Sequence, residues 1–395
     1  MNADDRAPYA PLSGLRVVAI EQAVAAPLCT RHLGDLGADV IKVEQPGTGD
    51  FARQFDSVVK GQSTHFVWLN RGKRSIALDL RSPDGARTIN ALLDRADVFV
   101  HNLGPGAIDR LGLGWDSLQG RRPGLIHCSI GGYATEGPYR DRKSFDALVQ
   151  GESGVMSVTG TEAQIAKVGL SVADISGAMY ALAAVLAALH ERERTGRGKR
   201  IEISMLDCMA EWMMPFVYQQ VYTGLAPRRA GARHAMIVPY GPFRASDGVL
   251  VNLAVQNAGQ WERLCENVID RPDLLRAARF ATNELRVRHR DELEPIIEQV
   301  VSTMTSGEIE ARLAQFDVPY GRVNSVEGLS KHPQLAGRWF EVASVGGPVL
   351  ALAHPFAGPS RQARRPVPAL GEHTEEILAE LGFGDSQNAV ARPPA

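Results

Sequence analysis

LRVVAIEQAVAAPLCTRHLGDLGADVIKVE, residues 15–44, decides how the chain folds. The apolar run Val17–Ile20 reads as a buried strand, Pro27 suits a first helical position, Gly37 a C-terminal stop, and Val40–Val43 reads as a second strand. This is a βαβ unit. A second follows the same grammar: Ser82-Pro83-Asp84 is a cap with proline at the first helical position, Ala86, Ile89, Leu92 and Leu93 form a helical stripe, and Val98–Val100 is the next strand. Leu125–Ile130 reads as a third strand. Such alternation predicts an α/β fold with a doubly wound parallel sheet, whose ligands gather beyond the carboxyl ends of the strands. Those ends are Glu21–Ala23, Glu44–Gln45, His101–Asn102 and Ile130–Tyr133.

Downstream, a helix is expected from Asp174 to a stop at Gly196, with Ile175, Ala178, Met179, Leu182, Val185, Leu186 and Leu189 on one face. After Gly224 the basic segment LAPRRAGARHAM leads into a hairpin, 241–245 and 249–255, turning at Asp247-Gly248. Helices near 260–268, 290–303 and 306–315 follow. A length of 395 residues fits two domains. The expected division is a large α/β domain over 1–210, a linker over 211–223, a smaller α+β domain over 224–316, a second linker over 317–329, and a return to the large domain over 330–395. That return carries a helix near Thr374–Leu381 and a frayed tail from Gly384.

Composition excludes several classes. Lys and Arg number 43 against 45 Asp and Glu, so no global field attracts nucleic acid or an anionic membrane. The longest apolar run, Tyr180–Leu189, is shorter than a bilayer span, and MNADDRAPYA lacks the apolar core of a secretory signal, so a soluble, cytoplasmic protein is expected. Cys29, Cys128, Cys208 and Cys265 form no CxxC and no histidine-paired spacing, which argues against a disulfide framework and against a metal site.

There is no GxxxxGK[ST], HExxH, GxSxG or post-strand GxGxxG string. Asn102–Gly106 is a glycine-rich turn opening a short helix and reads either as a phosphate-facing loop or as a tight turn. Asp174, in GLSVADISGAMY, stands where a long apolar helix begins. It is either an N-cap or a carboxylate held in an apolar pocket as a nucleophile. Tyr133 either meets a substrate carboxylate or packs beneath a loop, His234 either faces an acyl group or lies at a domain interface, and Asp207 reads as a helix cap.

Seven strings occur in order along the chain: PLSGLRVVAIEQAVAAP, LGDLGADVIKVEQPGTGD, NRGKRSIALDL, ADVFVHNLGPGAIDRLGLGWDSL, SIGGYATEGP, GLSVADISG and PALGEHTEEIL. Together they resemble the family III CoA transferases from about Leu12 to Leu381. GARHAMIVPYGPFRASDG and TNELRVRHRDEL narrow the resemblance to the succinyl-CoA:glutarate members. The resemblance implies that Asp174 is the covalent nucleophile. It implies that Ala23 and Val24 line the pantetheine channel with backbone groups, that Gln45, Leu78 and Arg81 lie near the adenosine and phosphates, and that Asn102, Leu103, Arg110 and Lys143 complete the CoA site. Tyr133, Phe145 and His234 are the expected substrate-side residues. It also implies an interlocked homodimer, with CoA and acyl-CoA as substrates and no tightly bound cofactor.

Two departures matter. GARHAMIVPYGPF stands where the formyl-CoA transferase branch has a polyglycine loop, so any lid here is stiffer. Phe145 stands where the family's racemases place a proton-accepting histidine, and a phenyl ring accepts no proton. The expected activity is therefore transfer of CoA from an acyl-CoA, succinyl-CoA by resemblance, to a C4–C6 dicarboxylate through aspartyl anhydride and aspartyl-CoA thioester intermediates. Arg53, Arg71 and Arg233 are cations available for the distal carboxylate. A 2-methylacyl-CoA racemase or isomerase and a non-catalytic acyl-CoA-binding protein are the alternatives.

Overall fold

The apolar runs of the first two hundred residues need cover on both faces, and a parallel sheet flanked by helices supplies it. The computed structural model describes residues 10–355 and 365–383. Its strands β1 (Arg16–Ile20), β2 (Asp39–Glu44), β3 (Arg74–Ala77), β4 (Val98–His101), β5 (Ile126–Gly131) and β6 (Arg200–Ser204) form one six-stranded sheet in the order β3-β2-β1-β4-β5-β6. All five pairings are parallel, with Val18 opposite Ile41 on one side and Phe99 on the other. The chain winds outward from β1 to β3, then returns to place β4 on the other side of β1. This switch opens a crevice between their carboxyl ends.

Helix α1 (Ala25–Asp35) is buried along its whole length and packs on the helix Val172–Thr195. Helices α2 (Thr64–Asn70) and α3 (Pro83–Leu93) carry the chain between β2, β3 and β4, and Ser82 caps α3 through a bond from the Gly85 N–H. Val18, Ile41, Ile76, Ile89, Leu92 and Phe99 form the core under α3. The helix Val172–Thr195, at 24 residues, is long and apolar enough by length and composition to cross a bilayer, beyond what the run Tyr180–Leu189 suggests. Its buried Ala173, Ala178, Ala181 and Val185 pack within the unit, which accounts for the apolarity without a membrane.

The chain divides into two compact units, one made of the described parts of 1–153, 168–214 and 335–395, the other of 154–167 and 215–334. The second unit holds an antiparallel sheet, β7 (Tyr240–Arg244), β8 (Leu250–Ala254) and β9 (Tyr320–Arg322), over a core that includes Phe243, Val251, Trp261 and Ile297. The hairpin turns at Gly248, whose φ of +82° suits glycine.

The observed boundaries differ from the sequence expectation in definite ways. Residues 211–223 are not a linker: they lie in the helix Met205–Thr223, and the division falls inside it at Pro215. One proline removes one backbone bond, and the flanking residues carry the helix past it. Residues 154–167 belong to the second unit, β9 lies within the expected linker 317–329, and the returning segment forms a hairpin, β10 (Trp339–Val342) with β11 (Val349–Leu352). The expected terminal helix is present at Thr374–Glu380, and the tail from Gly384 lies outside the described residues.

Candidate active site

At the crevice beyond β1 and β4 one side chain ties the strand ends to each other. Asn102, directly after β4, accepts from the Gln22 N–H at 2.9 Å and donates to the Gln22 carbonyl at 2.8 Å, clamping the two strand ends together. Beside it Ala23 takes φ +59°, a left-handed conformation that costs a non-glycine residue about 1 kcal/mol. The Ala23 N–H donates to Asp50 Oδ1 at 3.1 Å. Asp50 is fixed in turn by Lys42 at 2.8 Å, and Lys42 and Lys73 both meet Glu21, at 3.4 and 2.6 Å. These four charged side chains are at most 1% exposed, so the strained turn rests on a neutral, buried ionic base.

The crevice opens into a cleft of about 580 Å³. Its far wall is the start of the helix Val172–Thr195. Gly177, in the second turn, lets that helix approach the sheet: a Cβ there would stand 3.0 Å from Met205 Cγ and 3.4 Å from Ile130 Cγ2. Asp174 therefore reaches the cleft from the helix's first turn.

Asp174 does not cap its helix. That role belongs to Asp146, from the first turn of the helix Asp146–Glu152, whose Oδ1 accepts from the Ala173 N–H at 2.9 Å and the Asp174 N–H at 3.4 Å. Gln150 donates to Asp146 Oδ2 at 2.7 Å and to the Leu170 carbonyl at 3.2 Å, and accepts from the Val168 N–H at 2.8 Å, bracing the approach to the helix. With the helix N–H groups occupied, the half-buried Asp174 carboxylate accepts no hydrogen bond among the described residues. Burial, and then the charge of Asp146, push its acid up to about 7, outweighing the helix dipole that would lower it.

At the rim stand Tyr133, Arg140, Arg142, Lys143 and Phe145. Tyr133 sits edge-on to Tyr139, ring centres 5.2 Å apart, and Arg142 lies over the Tyr139 ring at 3.6 Å. Lys143 is exposed and in no ion pair among the described residues. Phe145 is 65% exposed and puts a ring, not a base, beside Asp146. On the floor His101 and His127 meet edge to face, ring centres 5.2 Å apart. Burial, then His127, hold the His101 acid down to about 3, so its ring is neutral at pH 7.

The cleft brings together Ala23, Asn102, Leu103, Tyr133, Lys143, Phe145 and Asp174. Val24 and Leu78 are buried in the core, so only their backbone is available to a ligand. Gln45, Arg81 and Arg110 are exposed near the carboxyl ends of β2, β3 and β4, outside the cleft lining. Neither Arg81 nor Arg110 is in an ion pair among the described residues. His234 lies in the second unit, its ring stacked on Tyr240 and its Nδ1 accepting from the Met236 N–H at 3.1 Å.

Three sequence readings need correction. Asp207 lines the cleft, and the cap of its helix is Ser204, whose Oγ accepts from the Asp207 N–H at 3.2 Å. Arg53 is committed to Glu44 at 2.8 Å and Arg71 to Asp35 at 2.8 Å, and neither lines the cleft. Arg233 is paired with Glu294 and Glu298. Asp146, Gln150, Arg140 and Arg142 were not singled out from sequence. For the first two the only signal is Asp-x-x-x-Gln at the start of a short helix, which is too common to be read alone.

Among the described residues no group of His, Cys, Asp and Glu has the arrangement of a metal site, and all four cysteines are free and buried. The profile of CoA-transferase family III matches residues 12–374. The chain is 36% identical over 384 residues to succinate–glutarate CoA-transferase of Agrobacterium fabrum, covering 94% of this chain and 96% of that protein. It is 34% identical over 390 residues to succinyl-CoA:glutarate CoA-transferase of Mus musculus, covering 94% and 86%. The crystal structure of a CAIB/BAIF family protein from Brucella suis superimposes with a TM-score of 0.81 at 34% identity, over 94% of this chain and 100% of that one.

Proposed function

We infer the reaction from a premise the comparisons establish: the chain belongs to CoA-transferase family III and is a CoA-transferase acting on CoA thioesters. We propose that it moves CoA from succinyl-CoA to a C4–C6 dicarboxylate, glutarate or a close analogue, with Asp174 as nucleophile. The observation that carries this reading is the uncapped Asp174 carboxylate at a helix N-terminus inside the cleft, left free because Asp146 takes the helix N–H groups. The names of the relatives from Agrobacterium and mouse support the substrate pair.

The ionised Asp174 attacks the thioester carbonyl, the C–S bond breaks, and CoA leaves as thiolate, giving an aspartyl–succinyl anhydride. The thiolate then attacks the aspartyl carbonyl, the anhydride C–O bond breaks, and succinate departs, leaving an aspartyl-CoA thioester. The acceptor carboxylate attacks that thioester and expels the thiolate. Attack of the thiolate on the acceptor's acyl carbon releases the new CoA ester and restores Asp174. Each step exchanges one C–S or C–O bond for another, so no ATP is consumed.

The clamp at Asn102 and the backbone at Ala23 and Val24 are proposed to guide the pantetheine, and the unpaired Arg81 and Arg110 to meet phosphates. Lys143 is proposed to complete the CoA site, and Arg140 and Arg142, also at the rim, to receive the distal carboxylate. The chain is proposed to act as a homodimer. Trp212, Val217, Tyr218, Val221, Tyr222 and Leu225, each at least 41% exposed along one segment, support a partner surface there. Four free buried thiols support a reducing, cytoplasmic location. The test is a panel of carboxylic acids against succinyl-CoA with mass detection of new CoA esters, run in heavy water. Glutarate-sized diacids should yield esters without deuterium at the α-carbon; deuterium entering faster than ester forms would favour a racemase.

A further inference from the structure

A second cavity, of about 590 Å³, lies in the first unit and shares no lining residue with the cleft. Its wall joins the C-terminal half of α1 and helix α2 to the hairpin β10–β11. Val67, Trp68, Val342, Val349, Ala351 and Val367 make most of it apolar.

Its charge is unbalanced. Arg31 and Arg71, 7% and 6% exposed, share one carboxylate, Asp35, at 3.3 and 2.8 Å. Arg338 also lines the cavity and has no acid partner among the described residues; its Nη2 donates to the His354 carbonyl at 2.9 Å. Among the described residues no acid lines the cavity. Its two histidines do not add to the charge: burial, then Arg31, push the His32 acid down to about 2, and burial lowers that of His354. Three guanidinium groups thus line the cavity, and the one carboxylate paired with any of them, Asp35, meets two. Burial, and then the charge of Arg71, lower the Arg31 acid to about 10 against the opposing pull of Asp35.

The hydrogen bonds are unbalanced in the same sense. Among the described residues Arg31 Nε, Arg71 Nε and Trp339 Nε1 are buried N–H donors with no partner, and no unpartnered acceptor is found on this wall. Buried donors beside excess positive charge ask for an anionic acceptor, and the apolar wall asks for an apolar body on it.

We propose that this cavity is a binding site, separate from the cleft, for a small organic anion: one carboxylate on an apolar stem. The carboxylate sits among Arg31, Arg71 and Arg338 and takes the orphaned N–H groups, while the stem lies along Val342, Val349 and Ala351. The site is independent of the transfer chemistry. It does reach the cleft through shared structure, because α1 carries Arg31 near its C-terminal end and begins at Ala25, which lines the cleft.

The test measures calorimetric binding of octanoate and of 1-octanol to the full-length protein saturated with CoA, with Trp68 and Trp339 fluorescence as a second readout. Octanoate should bind once per chain at millimolar concentration and octanol at least about tenfold more weakly. Arg338→Gln should weaken octanoate by about tenfold. Ala351→Trp, which fills the cavity and keeps every charge, should abolish binding. Transfer kinetics should be unchanged in both variants, which also shows that they fold. Equal affinity for octanol, survival of binding in Ala351→Trp, or no binding in wild type would each overturn the proposal. So would loss of a stable oligomer in Ala351→Trp on sedimentation, since a second copy of the chain would then be what covers the cavity.

Discussion

Two acid clusters stand within the first unit and handle burial in opposite ways. At Glu21, burial alone would push the acid up, but Lys73 at 2.6 Å and Lys42 at 3.4 Å more than reverse it, and its pKa ends below the ordinary value. At Asp174 burial meets no cation. Among the described residues the one charged group close enough to count is another acid, Asp146, and the pKa rises to about 7. Pairing, rather than depth, separates a structural carboxylate from a reactive one. The first cluster holds Ala23 in its left-handed turn, and the second leaves a carboxylate with unused lone pairs facing the cleft.

The sharpest way to break this contrast is to remove each acid's function in turn. Asp174→Ala should lower kcat by about a thousandfold or more while CoA affinity, measured by calorimetry, changes little. A folded variant that kept a few per cent of the rate would make Asp174 an ordinary side chain. In the paired cluster, Lys42→Met strands Asp50 and weakens Glu21, so its urea midpoint should fall by the equivalent of about 3–5 kcal/mol. An unchanged midpoint would mean that the buried pairs contribute nothing.

Smaller effects sharpen the same contrast. The pH profile of kcat/KM should rise through about pH 7 as Asp174 ionises. Asp146→Asn removes the neighbouring negative charge and should move that limb to lower pH, by less than the whole shift because burial remains the larger cause. A limb that stays in place would deny the coupling. The smallest effect lies in stability. The raised acid of Asp174 makes the native state bind more protons between the ordinary aspartate value and about 7, so its contribution falls as pH rises through that window. Glu44, held down to about 2 against burial by Arg53 and Lys42, has the opposite slope: its contribution is present above its ordinary value and is lost as pH falls towards 2. Melting curves of Asp174→Asn should therefore gain on wild type as pH rises from 4 to 7, and a constant difference would contradict this.

Much of the sheet was legible because its signals are local. The runs at Val17–Ile20, Val40–Val43 and Val98–Val100 are apolar, and proline and serine mark the helix starts between them. β3 and β6 were missed for physical reasons. Arg74–Ala77 is four residues opened by a cation whose partner Asp39 lies on the neighbouring strand, and Arg200–Ser204 alternates charge and apolar side as an edge strand does. The helix at Met205–Thr223 was hidden by Pro215. Asp174 was legible as a candidate, but its freedom was not, because the group that takes its helix cap lies 28 residues earlier. The second cavity was invisible for the same reason: Arg31, Arg71 and Arg338 come from distant parts of the chain, and only the fold puts them on one cavity wall.

Transfer through Asp174 requires a covalent bond to that side chain, and intact-mass analysis tests the bond directly. Wild-type protein mixed with succinyl-CoA in the absence of acceptor, then quenched in acid, should gain the mass of one CoA less one water. Peptide mapping should place that increment on Asp174, and Asp174→Ala should show none. The same increment in the variant, or its assignment to any other residue, would rule out Asp174 as the nucleophile.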